Sequence, residues 1–272
     1  MERKGATHAC APSLSPCLPV SLPFFVLLAC VATVQAAEHW VDTRQSGPFV
    51  CQATFPLKDY EPLLAELQEL QPELIRVLGV TPAAEPIYIY LFSDAQSHRR
   101  YLAEHYPTAP YRPALFVKEG GLAGVYAYRH DTLAVDLRHE CTHALLHASL
   151  PMVPLWLDEG LAKYFEVPPE QRAFDHPYFG WLRWDMRLGM VRTVSDLEQR
   201  RELAEMGASE YRYSWAWVHF MLHGPEAAHS TLVRYLADIR RGEIAGNLSE
   251  QLEHAVPNST EHMVRHFKYW HE

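Results

Sequence analysis

"LRHECTHALLH" (residues 137–147) and "PLWLDEGLAKYFE" (154–166) decide how this chain is read. The first carries His139, Glu140 and His143 in the order H-E-x-x-H. On an α-helix each residue turns by about 100°, so His139 and His143 share a face, one turn apart. Two imidazoles so placed can hold one zinc ion, and Glu140 beside them can reach a metal-bound water rather than the metal. Zinc lowers the pKa of such a water to roughly 7, and a carboxylate can then take its proton. A catalytic zinc needs a third protein ligand and an open position. Glu159 in the second stretch offers that ligand, on a helix that returns after a short turn through Pro151 and Pro154. Asp158 beside it is the competing ligand, or else a partner that orients a ligand histidine.

The chain has 16 His among 272 residues, so a chance H-E-x-x-H is not negligible. Position adds weight, because the motif sits in a helical pattern that follows a run of strands. "FVCQATF" (49–55), "PIYIYLF" (86–92), "ALFV" (114–117), "GVYAY" (124–128) and "TLAVDL" (132–137) read as strands. "DYEPLLAELQELQPELIRVLGV" (59–80) has leucines at helical spacing, with Pro72 expected to kink or divide it. "SDAQSHRRYLAEHY" (93–106) reads as a capped helix. The motif helix is expected from near Leu137 to just before Pro151. After the Pro-rich "VPPEQRAFDHP" (167–177) every segment reads as helix. The expected fold is α+β: a small mixed sheet beside an active-site helix in residues 37–167, then a mainly helical lobe over 168–272.

The first 36 residues read as an export signal, with Arg3 and Lys4, an apolar stretch and a small-residue cleavage pattern ending at Ala36. A lipobox-like "LLAC" ending at Cys30 competes with simple cleavage; membrane attachment is expected only if Cys30 is lipidated. Either way the mature protein lies outside the cytoplasm, secreted or in the cell envelope. The net charge is −9, with no basic stripe, which argues against nucleic acid as a partner. Cys51 and Cys141 remain after the signal, too few for a disulfide-stapled fold, and spacing alone does not decide whether they pair. Cys141 reads as a small apolar core residue rather than a nucleophile.

"HECTHALLH" followed by "PLWLDEGLAKYFE" resembles the gluzincin metallopeptidases, and most of all the bacterial peptidase MA-like group of exported proteins. "YRYSWAWVHFML" (211–222) is similar to that group's downstream helix. The resemblance implies a zincin-like fold, one Zn2+ per chain and hydrolysis of peptide bonds in a peptide or protein substrate. It implies His139, His143 and Glu159 as metal ligands and Glu140 as general base. The gap from His143 to Glu159 is shorter than in the aminopeptidase and thermolysin branches, so no substrate class carries over, nor a choice between endo- and exopeptidase. A gluzincin also needs a donor for the tetrahedral oxyanion. Tyr211 and Tyr213 are the candidates, and Tyr211 is the choice. The alternative is a catalytically silent zinc-binding envelope protein that keeps the protease-like fold.

Other residues receive blander readings. His147 extends the histidine stripe and reads as lining the cleft or meeting solvent. Glu166 reads as a solvated helix-end charge. His262 and His266 read as surface, and Trp181, Trp184, Trp215 and Trp217 as core.

Overall fold

The computed structural model describes residues 39–119 and 122–270. The export signal, its cleavage point after Ala36 and Cys30 lie outside these residues. Five strands form one sheet: β1 (Asp42–Ser46), β2 (Phe49–Ala53), β3 (Ile87–Phe92), β4 (Ala114–Glu119) and β5 (Leu122–Tyr128). Their order is β1-β2-β3-β5-β4. The β2–β3 and β3–β5 pairs are parallel, while the two outer pairs are antiparallel. The helices are α1 (Glu61–Leu78), α2 (Ala95–His105), α3 (Leu133–Ser149), α4 (Leu155–Phe165), α5 (Pro169–Arg172), α6 (Tyr178–Arg187), α7 (Val194–Glu198), α8 (Ala208–His223), α9 (Glu226–Arg240), α10 (Leu248–Ala255) and α11 (Ser259–Tyr269). The architecture is mixed α/β, with every strand before residue 129 and helices after it.

The period of two along each strand divides the sheet into two faces. Cys51, Ile89 and Val125 lie side by side across β2, β3 and β5 and are fully buried in the main core. The other face carries Tyr90, Phe92 and Tyr126, which pack with Leu102 of α2 in a smaller cluster. α3 packs against β4 and β5. β4 ends the sheet, so one side of its backbone is left unpaired by any described strand.

Several expectations change here. α1 is not divided at Pro72, because Leu64, Leu67, Leu70, Leu74 and Leu78 are buried on both sides of the proline and hold the helix to the core. Gly79 ends it in the left-handed conformation, φ 66°, which glycine adopts without a Cβ clash. "TLAVDL" is not a strand: residues from Leu133 form the first turn of α3, with Leu133 and Leu137 buried one turn apart. β1 was not foreseen, since "DTRQS" has no apolar alternation. Trp215 and Trp217 are fully buried, but Trp181 and Trp184 are exposed, on the outer face of α6. His266 is not a free surface residue; its Nε2 lies 3.1 Å from His219 Nδ1. Cys51 and Cys141 are free and buried. Burial pushes the Cys51 thiol up to about 12 and the Cys141 thiol well above its ordinary value, so neither is a thiolate nucleophile at neutral pH.

Candidate metal centre

α3 and α4 meet face to face and bring the two motif stretches together. The close approach of α4 to α8 behind them depends on Gly160. A Cβ at residue 160 would lie 2.6 Å from the Ser214 carbonyl oxygen, inside van der Waals contact with backbone that cannot move aside. Glycine after Glu159 therefore lets α4 seat against α8 with Glu159 turned towards α3.

His139, His143 and Glu159 converge. His139 Nε2 is 3.2 Å from His143 Nε2, and Glu159 Oε2 is 3.6 Å from the first and 3.8 Å from the second. Glu159 Oε2 is buried and has no hydrogen-bond partner. Buried polar atoms are nearly always satisfied, so three electron-rich atoms facing one another ask for a cation between them. In a triangle with these sides the point equidistant from its corners lies about 2.1 Å from each, within the roughly 2.0–2.2 Å of zinc–nitrogen and zinc–oxygen bonds. Two imidazoles and one carboxylate are also a donor set that suits zinc. The residues fit the ion.

Each imidazole faces a carboxylate on its far side. His139 Nδ1 lies 3.0 Å from Glu166 Oε2, which leaves Nε2 to carry the lone pair towards Glu159. Lys163 Nζ donates to the same Glu166 oxygen at 2.7 Å. Arg138 fixes this corner: it donates to both oxygens of Glu66 on α1, at 2.5 and 3.0 Å, and to the Glu166 carbonyl at 3.2 Å. Glu166 is thus no solvated end charge but a buried partner of His139. Glu166 lies seven residues, about two turns, beyond Glu159 on the same face of the chain, the one pattern in the sequence that could have pointed to it. His143 Nδ1 lies 3.0 Å from Asp158 Oδ1, and His147 Nε2 accompanies Asp158 Oδ2 at 3.0 Å. His147 is therefore tied to Asp158 rather than simply meeting solvent.

Burial alone would lower the His139 pKa, but the facing carboxylates of Glu159 and Glu166 more than offset it and hold it up at about 9. His143 is likewise raised against its burial, chiefly by Asp158. Asp158, Glu159 and Glu166 are all lowered despite burial, because histidines face them and, for Glu166, Lys163 as well. The cluster therefore attracts positive charge.

Glu140 follows His139 on α3, and its Oε2 accepts the Phe116 backbone N–H at 2.8 Å. The base candidate is thus fixed in orientation by the edge strand β4. Tyr211 lies near the centre: its ring sits 5.8 Å from Lys163 Nζ, and Glu159 is among the charges acting on its phenol. Burial and the neighbouring Glu159 raise its phenol pKa, so it stays protonated at neutral pH. Tyr213 points elsewhere, fully buried near Asp185 and Arg212.

No protein-family model matches the chain, and neither does any curated protein. Among solved structures, the M1 zinc metallopeptidase from Deinococcus radiodurans is similar, at 17% identity over 84% of this chain with a TM-score of 0.46. The similarity covers 50% of that structure's chain, so this protein spans about half its length.

Proposed function

We propose that this protein is an exported, zincin-like zinc metallopeptidase that holds one Zn2+ with His139, His143 and Glu159. The observation that carries the reading is the convergence of His139 Nε2, His143 Nε2 and the unpartnered Glu159 Oε2 beside Glu140. Zinc, when bound, supplies Lewis acidity to the scissile carbonyl and to the attacking water. Glu140, steadied by the Phe116 amide, takes the proton of that water and passes it to the leaving amine. Tyr211, kept protonated, donates to the developing oxyanion. Glu166 holds the His139 imidazole from behind through its hydrogen bond, and Asp158 faces the His143 imidazole as its charge partner.

The edge strand supports a peptide as substrate. The Phe116 N–H of β4 turns to Glu140, so this free edge borders the centre. An extended peptide laid along it would pair with backbone groups while its scissile bond meets the base. Export rests on the sequence of residues 1–36. Among the described residues no helix is long and apolar enough to cross a membrane.

The test is hydrolysis of a mixed peptide library by wild type and Glu140→Gln, each assayed for zinc. The expected result is cleavage by wild type and a loss of roughly 10²–10⁴-fold in the variant, with zinc retained. Full activity in Glu140→Gln sinks the assignment. Zinc without cleavage in wild type supports the silent zinc-binding alternative.

A further inference from the structure

The outward nitrogen of His143 opens onto a second group of ligand atoms. His147 projects from α3 one turn beyond His143, and Asp158 lies between the two. Asp158 Oδ1 is 3.0 Å from His143 Nδ1, and Asp158 Oδ2 is 3.0 Å from His147 Nε2. One ligand atom from each of the three residues lies within 4.8 Å of the other two. His143 Nδ1 and Asp158 Oδ1 are buried, and neither makes a hydrogen bond; they are close, but not aligned for one. Both residues are nine-tenths buried. Such a pair is costly to leave unmade, and a cation bound by both atoms satisfies them together.

We propose that His143 Nδ1, His147 Nε2 and the Asp158 carboxylate form a second Zn2+ site, from which the ion passes to the His139–His143–Glu159 centre. The two sites are alternatives. A neutral imidazole has one lone pair, so His143 serves the inner centre through Nε2 or the outer one through Nδ1, with its proton on the other nitrogen. The outer site is nearer to solvent: the His147 side chain is 25% exposed, against 6% for Glu159. His147 and Asp158 also line a surface cavity with Met152, Arg200 and Asn247, which gives an ion a way in. Passage to the inner centre needs no rotation of the His143 ring. The ion leaves Nδ1 and binds at Nε2, one proton leaves Nε2 and one returns to Nδ1, and the net proton count is unchanged.

The inference rests on the proposed inner centre only for the ion's destination, and the test separates the two. Zn2+ is titrated against a chromophoric chelator in the full chain. The proteins are wild type, the double variant His139→Ala/Glu159→Gln, and the double variant with His147→Ala added. Circular dichroism checks that each is folded, and Asp158→Asn replaces His147→Ala if that variant is not. Wild type is expected to bind one ion. The double variant should still bind one, weaker by at least ~10-fold, and the added change should weaken it a further ~10–100-fold. A double variant that binds zinc no better than the triple variant overturns the second site. Two ions bound at once by wild type overturn the alternation. A double variant that binds one ion as tightly as wild type, and loses it in the triple variant, would remove the inner centre and leave the outer site standing.

Discussion

At the level of single residues, the centre depends on which nitrogen of each histidine carries the proton. Glu166 decides this for His139, and Lys163 and Arg138 hold Glu166. Glu166→Ala should therefore lower zinc affinity by roughly 10–100-fold while the protein stays folded. Competition with a chelator measures it, and an unchanged affinity would show that Glu166 does not orient the ligand. The histidines and Glu140 were legible in the sequence because a helix period alone puts His139 and His143 on one face. Glu166 was not, because a charge at a helix end is ordinarily solvated. Its burial comes from Arg138 and Lys163, residues that single-helix reasoning leaves unconnected to it. Tyr211 and Tyr213 differ by two positions, or about 200° around α8, so they face different directions: Tyr211 lies beside Lys163 and Tyr213 is fully buried.

At the level of elements, Gly160 sets the distance between α4 and α8. Gly160→Ala would place a methyl group against the Ser214 carbonyl and push the helices apart. It should destabilise the fold by about 1–3 kcal/mol, although alanine favours a helix. Urea unfolding tests this; a variant as stable as wild type would mean that the helices relax freely. Long amphipathic segments such as α1 were readable because five leucines repeat at helical spacing. "TLAVDL" misled because it alternates like a strand over six residues, although Leu133 and Leu137 also fit a helical turn. β1 was invisible because its pairing with β2 is a matter of backbone, with the polar Thr43, Arg44 and Gln45 exposed.

On the scale of the whole molecule, neutral histidines join the later helices. His219 on α8 lies 3.0 Å through Nε2 from the Ala173 carbonyl and 3.1 Å through Nδ1 from His266 on α11. A carbonyl only accepts, so Nε2 carries the proton and Nδ1 accepts from His266. His176, between α5 and α6, bonds the Lys163 carbonyl through Nε2. Burial lowers His176 and His266 to about 4 and His219 to about 2. His223, His266 and His176 are the titratable groups acting on His219, and all are histidines. Unfolded histidine titrates near 6.5, so below that pH the unfolded chain binds more protons than the folded one. The contribution of these lowered histidines should therefore be full above about pH 6.5 and fall as pH drops towards 4, by up to about 1.4 kcal/mol per pH unit for each such group. His219→Phe should flatten this slope in urea melts at pH 7.5, 6 and 5; equal slopes would contradict the role given to His219.

The alternation of helices that carries these contacts was legible as a run of helical segments, but which histidines are buried was not, since periodicity gives a face and not its neighbour. The proposed centre itself is tested most directly by metal content. The full chain, equilibrated with Zn2+ and freed of unbound metal, is analysed beside His143→Ala, which removes the histidine common to every ligand set proposed. About one zinc per chain is predicted in wild type and none in the folded variant. No zinc in wild type, or the same zinc in His143→Ala, would contradict it.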